Sequence, residues 1–422
     1  MKLTMNERKK IAKIMAERYR KATKKEKGKI LDEFIALTNY HRTYASYLLS
    51  SHKKKRIRSN KNPQTIFEAD ITKKMKRTRE KYYDIDVFKA LKKVWVIENC
   101  ICGKRLAPFM KEIVPILESY KEIELKEEVR GKLLRVSAST IDRLLKFERK
   151  RWKRRKKSHT KPGMLLKSQI PIRTFADWNE NKPGFVEIDL VAHDGGIARG
   201  DYAQTLDVTD VCTCWTETEA SKNKAQVNVF NALNSIIKRF PFPILGIDSD
   251  NGGEFINDEL FRYCSENKIT FTRGRRYKKN DNCYVEQKNY SIVREFVGYM
   301  RYDTEEELIM LNKLYSILRL YTNYFQPVMK LIKKKRFGAH EKRTYDTART
   351  PYRRTLESPF ISSANKRLLQ ASYNSLNPAQ LKREIERYQN KLRQLQINKN
   401  QRNKNISISK ESDIMEVLEA NV

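Results

Sequence analysis

Three acidic residues are spaced as a set that could hold divalent metal. Asp189 lies in the apolar run Phe185-Val-Glu-Ile-Asp-Leu-Val-Ala192, and Asp250 closes the run before Asn251-Gly252. Glu286 stands in Asn282-Cys-Tyr-Val-Glu-Gln-Lys-Asn289, with 35 residues between it and Asp250. Two carboxylates on strand-like segments and a third on a helix can converge on two cations. Such a pair offsets the charge of a phosphodiester and readies an oxygen nucleophile. Oxygen-only ligands suit two Mg²⁺ ions, with Mn²⁺ able to substitute. An ionised Asp189 among Val186, Ile188, Leu190 and Val191 is costly unless it is paired or metal-bound. Period-two alternation puts Asp248 on the same strand face as Asp250, so both remain candidates from geometry. Glu286 opens a helix that reads to Val297, with Gly298 as its stop. At 100° per residue, Val293 and Val297 lie within about 20° of Glu286, which places it at the edge of the face that packs on the sheet.

The elements that must position these acids begin near residue 178. Strand-length apolar runs occur at 185–192, 202–209, 211–219, 244–249 and 269–273. A helix near Lys222–Phe240 carries Val229, Phe230, Leu233, Ile236 and Ile237 on one face and is ended by Pro241 and Pro243. The order βββαβαβα implies a mixed five-stranded sheet with flanking helices over 178–302.

Ahead of this core the pattern is all-helical. Residues 1–60 read as three helices: one capped by Asn6 with Ile11, Ile14 and Met15 inward, one near Glu26–Leu37, and one near His41–Ser51. Helix, short turn, helix is the layout of a helix-turn-helix, with Arg42 and Tyr44 on the helix that could enter a major groove. A basic linker spans 61–81, and a second helix-turn-helix-like domain spans 82–150. There Ser139 is expected to cap a helix presenting Thr140, Arg143 and Lys146 to DNA. A basic extended linker, 151–177, brings Arg151, Lys153, Arg154 and Arg155 for phosphate contacts. Beyond the core come a helical and basic extension (303–372), an amphipathic helix (373–400) starting at Asn377-Pro378, and a tail (401–422) expected to be disordered. Leu381, Ile385, Tyr388, Leu392 and Leu395 suit either a short coiled coil or packing on the protein's own core.

The 422 residues carry a formal net charge of +37, from 88 Lys+Arg against 51 Asp+Glu. That excess adds self-repulsion to a fold and is explained by a polyanionic partner. A hydrophobic fraction of 39% is enough to build real cores, which excludes a disordered basic tail. No apolar run is long enough to span a membrane, and the N-terminus has no secretory h-region. The Cys100/Cys102 and Cys212/Cys214 pairs are spaced C-x-C, unlike zinc ligands. Sparse cysteines and abundant Lys, Asn and Ile suggest a bacterial cytoplasmic, nucleoid-associated protein with no small-molecule substrate.

In Asp189, in Ser249-Asp-Asn-Gly-Gly-Glu-Phe255 and in Asp281-Asn-Cys-Tyr-Val-Glu-Gln-Lys-Asn289, the chain resembles the retroviral integrase and bacterial insertion-sequence transposase superfamily. The resemblance covers roughly 178–302. It implies an RNase H-like α/β core with an Asp-Asp-Glu triad and selects Asp250 over Asp248, because the family's ligand is the aspartate just before Asn-Gly. It further implies that Asp189 bridges both ions while Asp250 and Glu286 hold one each. Metal-dependent cleavage at the ends of a mobile element, then transfer of the 3′-OH into target DNA, is the expected activity. Lys278, Lys279 and Lys288 would grip phosphates beside the site. Double-stranded DNA, at element ends and target, and a homo-multimer on DNA are the expected partners. His41, His52, Cys100 and Cys102 lack the spacing of the retroviral N-terminal zinc domain, so no zinc site is carried over. The competing readings are a nuclease of the same fold that only hydrolyses, a DNA-binding regulator derived from an inactive transposase, and an RNA-binding protein.

Overall fold

The computed structural model describes residues 3–58, 65–68, 82–151, 182–250, 252, 254–255, 257–274, 283–337 and 340–419. They form two compact units, 1–82 and 83–422.

The first unit packs α1 (Met5–Lys21), α2 (Lys24–Thr38) and α3 (Arg42–Ser51) around Met15, Leu31, Phe34, Ala45 and Leu49. Thr4, rather than the expected Asn6, caps α1 through a reciprocal box with Glu7, and Thr23 and Glu26 do the same for α2. Ala12, Met15 and Ala16 form the buried face of α1, while Ile14 is 63% exposed, contrary to expectation. Part of the expected linker is ordered: β1 (Lys55–Arg58) pairs antiparallel with β2 (Thr65–Glu68).

In the second unit, α4 (Ile85–Ile97), α5 (Gly103–Ser119), α6 (Glu127–Leu134), α7 (Ala138–Leu144) and α8 (Lys146–Arg151) precede the sheet. Their buried Val94, Trp95, Leu106 and Ile113 join the same hydrophobic core as the sheet, so these helices are continuous with it. Ser137, not Ser139, caps α7 by accepting the Thr140 N–H. Helix α7 ends at Leu144, and Lys146 falls on α8.

The sheet comprises β3 (Phe185–Ala192), β4 (Gln204–Asp210), β5 (Thr216–Ser221), β6 (Gly246–Ser249) and β7 (Thr270–Arg273), in the order β5-β4-β3-β6-β7. The first three strands are antiparallel, and β6 and β7 join parallel. Helix α9 (Gln226–Ile237) connects β5 to β6, and α10 (Asp258–Glu266) connects β6 to β7. This is the RNase H-like arrangement. The expected third strand over 211–219 is displaced to 216–221, because Asp210 accepts the Thr213 N–H and Oγ1–H at 2.6 Å each and folds 211–215 into a turn.

After β7, α11 (Cys283–Lys288) runs through a π-helical turn (Asn289–Arg294) into α12 (Glu295–Val297), which stops at Gly298 with φ +75°. Helix α13 (Glu305–Phe325) then lies along the edge of β5. Asn312 and Asn323 bond the Ala220 and Thr216 backbone and close an edge that could otherwise pair with another chain. A hairpin of β8 (Leu331–Phe337) and β9 (His340–Tyr345) stands where an irregular segment was expected, and α14 (Pro351–Glu357) and α15 (Ser363–Ser375) follow. Helix α16 starts at Pro378 with Asn377 accepting the Ala379 and Gln380 N–H groups. Its Leu381, Ile385 and Leu392 enter the unit's own core, which decides against a coiled-coil seam. The expected disordered tail is helical through Glu419; no Gly or Pro follows Pro378 to interrupt it.

Candidate metal-binding acidic face

Cross-strand partners share a sheet face. Asp189 is paired with Asp207, Glu187 with Thr209 on one side and Asp248 on the other, and Asp248 with Thr272. One face of the sheet therefore carries Glu187, Asp189, Asp207, Asp248, Thr209 and Thr272. The opposite face carries Val186, Ile188, Leu206, Val208 and Ile247, the apolar set that packs into the core. One step beyond the last β3–β6 pair, Ile188 with Ser249, the register brings Asp250 alongside Asp189.

Asp189 is half-buried. Its Oδ1 accepts the Leu190 N–H at 2.8 Å, and its Oδ2 accepts from Asn289 Nδ2 at 2.6 Å. Burial, then the charge of Asp250 and, more weakly, that of Glu286, push its carboxyl up to about 7, against the pull of the Asn289 bond. Those two charges report that the three sequence-predicted acids lie within electrostatic reach of one another. Among the described residues, no three His, Cys, Asp or Glu side chains are gathered closely enough to enclose an ion. The set is open on the side of Glu286, whose side chain is exposed.

The Asp250 motif is explained by its turn. Asp250 Oδ1 accepts the Gly252 N–H at 2.8 Å, and a Cβ at Gly252 would meet that oxygen at 2.9 Å and the Glu254 carboxylate at 2.7 Å. Glycine leaves room for both carboxylates to fold back over the turn. Asp248, the rival candidate, is buried deeper in β6 and takes the Thr272 hydroxyl hydrogen bond.

Glu286 departs from the expected helix face. A π turn inserts an extra residue per turn, so Val285, Ile292, Val293, Phe296 and Val297 are buried while Glu286 points outward. The shift gives the Glu286 carboxylate access to solvent. Lys288, expected to grip phosphate, is instead buried beside Asp207 and Cys214, and burial pulls its ammonium pKa down. It belongs to the interior and is not a DNA contact.

One residue of this face, Glu187, was not singled out from sequence. Glu187 is fully buried, and its Oε2 accepts the Val285 N–H at 2.9 Å, with the Tyr284 N–H also acting on it. It thereby ties the first turn of α11 to β3, two residues from Asp189. Its Oε1 has no hydrogen-bond partner, and burial raises its pKa well above the usual carboxylate value. Asn289, one helical turn past Glu286, is the Asp189 partner already described. The signal for Glu187 was present in Glu187-Ile-Asp189, since alternation puts both acids on one face.

Of the expected DNA contacts, Arg42 is exposed and ion-paired with Asp32, and Tyr44 is 48% exposed with its ring edge-on to Tyr40. Arg143, Lys146 and Arg151 are exposed, whereas Thr140 is half-buried. Lys153, Arg154, Arg155, Lys278 and Lys279 lie outside the described residues. No helix among the described residues is long and apolar enough to cross a membrane.

The integrase core domain family matches residues 180–279, a span that holds Asp189 and Asp250 and stops short of Glu286. The chain is 37% identical over 344 residues to the "Uncharacterized protein y4rM" of Sinorhizobium fredii (strain NBRC 101917 / NGR234), covering 82% of this chain and 93% of that one. Among solved structures it is similar to the catalytic core domain of BIV integrase: 18% identity, 42% of this chain, 95% of that chain, TM-score 0.28. It is also similar to the HTLV-2 integrase catalytic core domain in complex with magnesium: 14% identity, 35% of this chain, 90% of that chain, TM-score 0.26.

Proposed function

Because this chain belongs to the integrase and DDE-transposase superfamily, we propose that it cuts the ends of a mobile DNA element and joins the exposed 3′-OH to target DNA. Asp189, Asp250 and Glu286 are the acids that would hold two divalent ions, Mg²⁺ or Mn²⁺. The observation that carries this reading is the crowding of carboxylates on one sheet face. Around Asp189 stand Glu187, Asp207, Asp248 and Asp250, and burial, followed by the charges of Asp250 and Glu286, pushes the Asp189 carboxyl up to about 7. A fold does not gain from such crowding; a cation from solution relieves it.

The ions, when bound, lower the pKa of the attacking oxygen and offset charge on the phosphate and the leaving group. The protein's own part is positioning. Asn289 and the Leu190 N–H fix the orientation of Asp189 and leave its lone pairs directed. Glu187 holds the helix that carries Glu286, and Gly252 lets Asp250 sit close to its own turn. In the first step a water oxygen bonds to phosphorus and the element's 3′-oxygen leaves with a proton. In the second, that 3′-hydroxyl bonds to a target phosphorus and a target 3′-oxygen departs. The three-helix unit with Arg42 and Tyr44, and the surface bearing Arg143, Lys146 and Arg151, would hold the duplex. Assembly of several copies on DNA would bring two ends together.

The test is a labelled-end assay with Mg²⁺, a supercoiled plasmid target and duplexes taken from the DNA flanking the gene. Joined product from the wild type, lost in each of Asp189→Ala, Asp250→Ala and Glu286→Ala while DNA binding persists, is the expected result. Cleavage with no joined product would identify a hydrolytic nuclease instead. Full transfer by Glu286→Ala would remove that residue from the set.

A further inference from the structure

The β8–β9 hairpin carries a charge pattern that its own folding does not explain. Between Leu331 and Tyr345 the sequence holds Lys333, Lys334, Lys335, Arg336, Lys342 and Arg343 against the single acid Glu341. The register sets Lys335 directly opposite Lys342 and Lys334 opposite Arg343, two like-charge pairs in succession on opposite faces of the ribbon. Like charges placed directly across a strand pair weaken it, and a two-stranded ribbon is marginal even without them. Lys333, Lys335, Lys342 and Arg343 are exposed, and the two strands pack chiefly against each other.

What holds the ribbon is its base. The Lys330 N–H donates to Asp346 Oδ1 at 2.7 Å, and the Asp346 N–H returns to the Lys330 carbonyl at 3.0 Å. Asp346 is clamped in turn by Arg354 at 2.7 Å. Lys330 Nζ donates to the Cys212 carbonyl at 2.9 Å, which fastens the base to the β4–β5 turn. A positively charged arm on a rigid mount is the result. The neighbouring Val211 bonds to Phe185, four residues before Asp189, so the mount lies about 13 Å along β3 from the acidic face, a span of about four nucleotides at 3.4 Å each.

We propose that this ribbon is a second binding site for B-form duplex DNA, which it engages through the phosphates and the major groove. A two-stranded ribbon fits the B-form major groove, about 12 Å wide, whereas the A-form groove is too deep and narrow to admit it. The duplex supplies negative charge to the Lys335–Lys342 pair, against which no ion pair stands among the described residues. The inference rests on DNA being the partner of the core, and it concerns binding alone, so it stands or falls apart from the chemistry of Asp189.

The experiment measures binding of the full chain, in EDTA, to a fluorescent DNA duplex and to an RNA duplex of the same sequence across a salt series. Replacing Lys333, Lys335 and Lys342 together with Thr, a good strand former, removes about three phosphate contacts. At about 0.9 per contact the salt slope falls by about 2.7, so the wild-type advantage shrinks about 40-fold between about 50 and 200 mM salt. A second variant, Lys335→Glu, creates an opposite-charge pair with Lys342 and so favours the ribbon itself. It is expected to keep or raise the melting temperature and still weaken DNA binding. An unchanged DNA slope in the triple variant, or undiminished binding by Lys335→Glu, would overturn the proposal. Equal losses on the RNA duplex would also overturn it, since they would mark a general polyanion contact.

Discussion

Two acids in the same sheet, Glu217 buried and Asp189 half-buried, have opposite surroundings. Glu217, on the apolar face, is met by Arg319 at 2.5 and 2.9 Å, by Arg239 at 3.4 Å and by the Trp215 indole N–H at 2.9 Å. Asp189, on the other face, is met by the charges of Asp250 and Glu286, an amide and one backbone N–H. The first acid is neutralised within the fold, because burying an ionised carboxylate otherwise costs several kcal/mol. The second is surrounded by more of its own sign. Glu217 thus comes with its own cations, whereas the two charges that act on Asp189 are those of fellow acids.

The comparison can be broken most severely at Glu217. Arg319→Met removes the two closest charged contacts of the buried Glu217 carboxylate, leaving it to Arg239 at 3.4 Å and the Trp215 N–H, and is expected to cost on the order of 3–5 kcal/mol of stability, measured by urea denaturation. Strand transfer per folded molecule should not change.

On the acidic face, Glu187→Ala unties α11 from β3. It should lower strand transfer on the order of 10–100-fold, as loss of a residue supporting a metal ligand does. Glu187→Gln keeps an acceptor for the Val285 N–H and should recover most of that loss. Equal damage from both variants would show that Glu187 acts through its charge instead.

A smaller effect of opposite sign is expected from Asp189→Asn. In the metal-free protein the folded carboxyl titrates at about 7, against 3.8 without the fold. The folded state therefore holds a proton that the unfolded state has lost, and wild-type stability falls as pH rises from about 4 to 7. The Asn variant lacks that loss, so above pH 7 it should be more stable by on the order of 1–3 kcal/mol and show no gain below pH 4. Adding Mg²⁺ should raise the wild-type melting temperature and leave the variant's unchanged. The smallest expected effect is at Lys288: Lys288→Met should leave the salt slope of DNA binding unchanged, because its ammonium is buried beside Asp207.

The succession of strands and helices along the core and the acid spacing were legible in the sequence because both depend on local pattern. Alternation in 185–192 marks a strand whichever neighbours it takes, and Asn251-Gly252 marks a turn. What was illegible depended on contacts distant in sequence or on departures from ideal geometry. The π turn at Asn289–Arg294 rotates Glu286 off the face that a regular 100° step assigns to it. Lys288 reads as a surface cation until β4 places Asp207 beneath it. The β8–β9 ribbon has basic residues on both faces, so it shows no period-two signal. Residues 211–215 read as the start of a strand, and only the bonds from Thr213 to Asp210 show that the chain turns there.

The central claim is that the acidic face binds divalent metal through Asp189. Its most direct test is titration of the full-length protein with Mn²⁺, with free ion followed by electron paramagnetic resonance, for the wild type and Asp189→Asn. Saturable binding by the wild type, weakened at least about tenfold in the variant, is the predicted result. Equal Mn²⁺ affinity in the two proteins would contradict it.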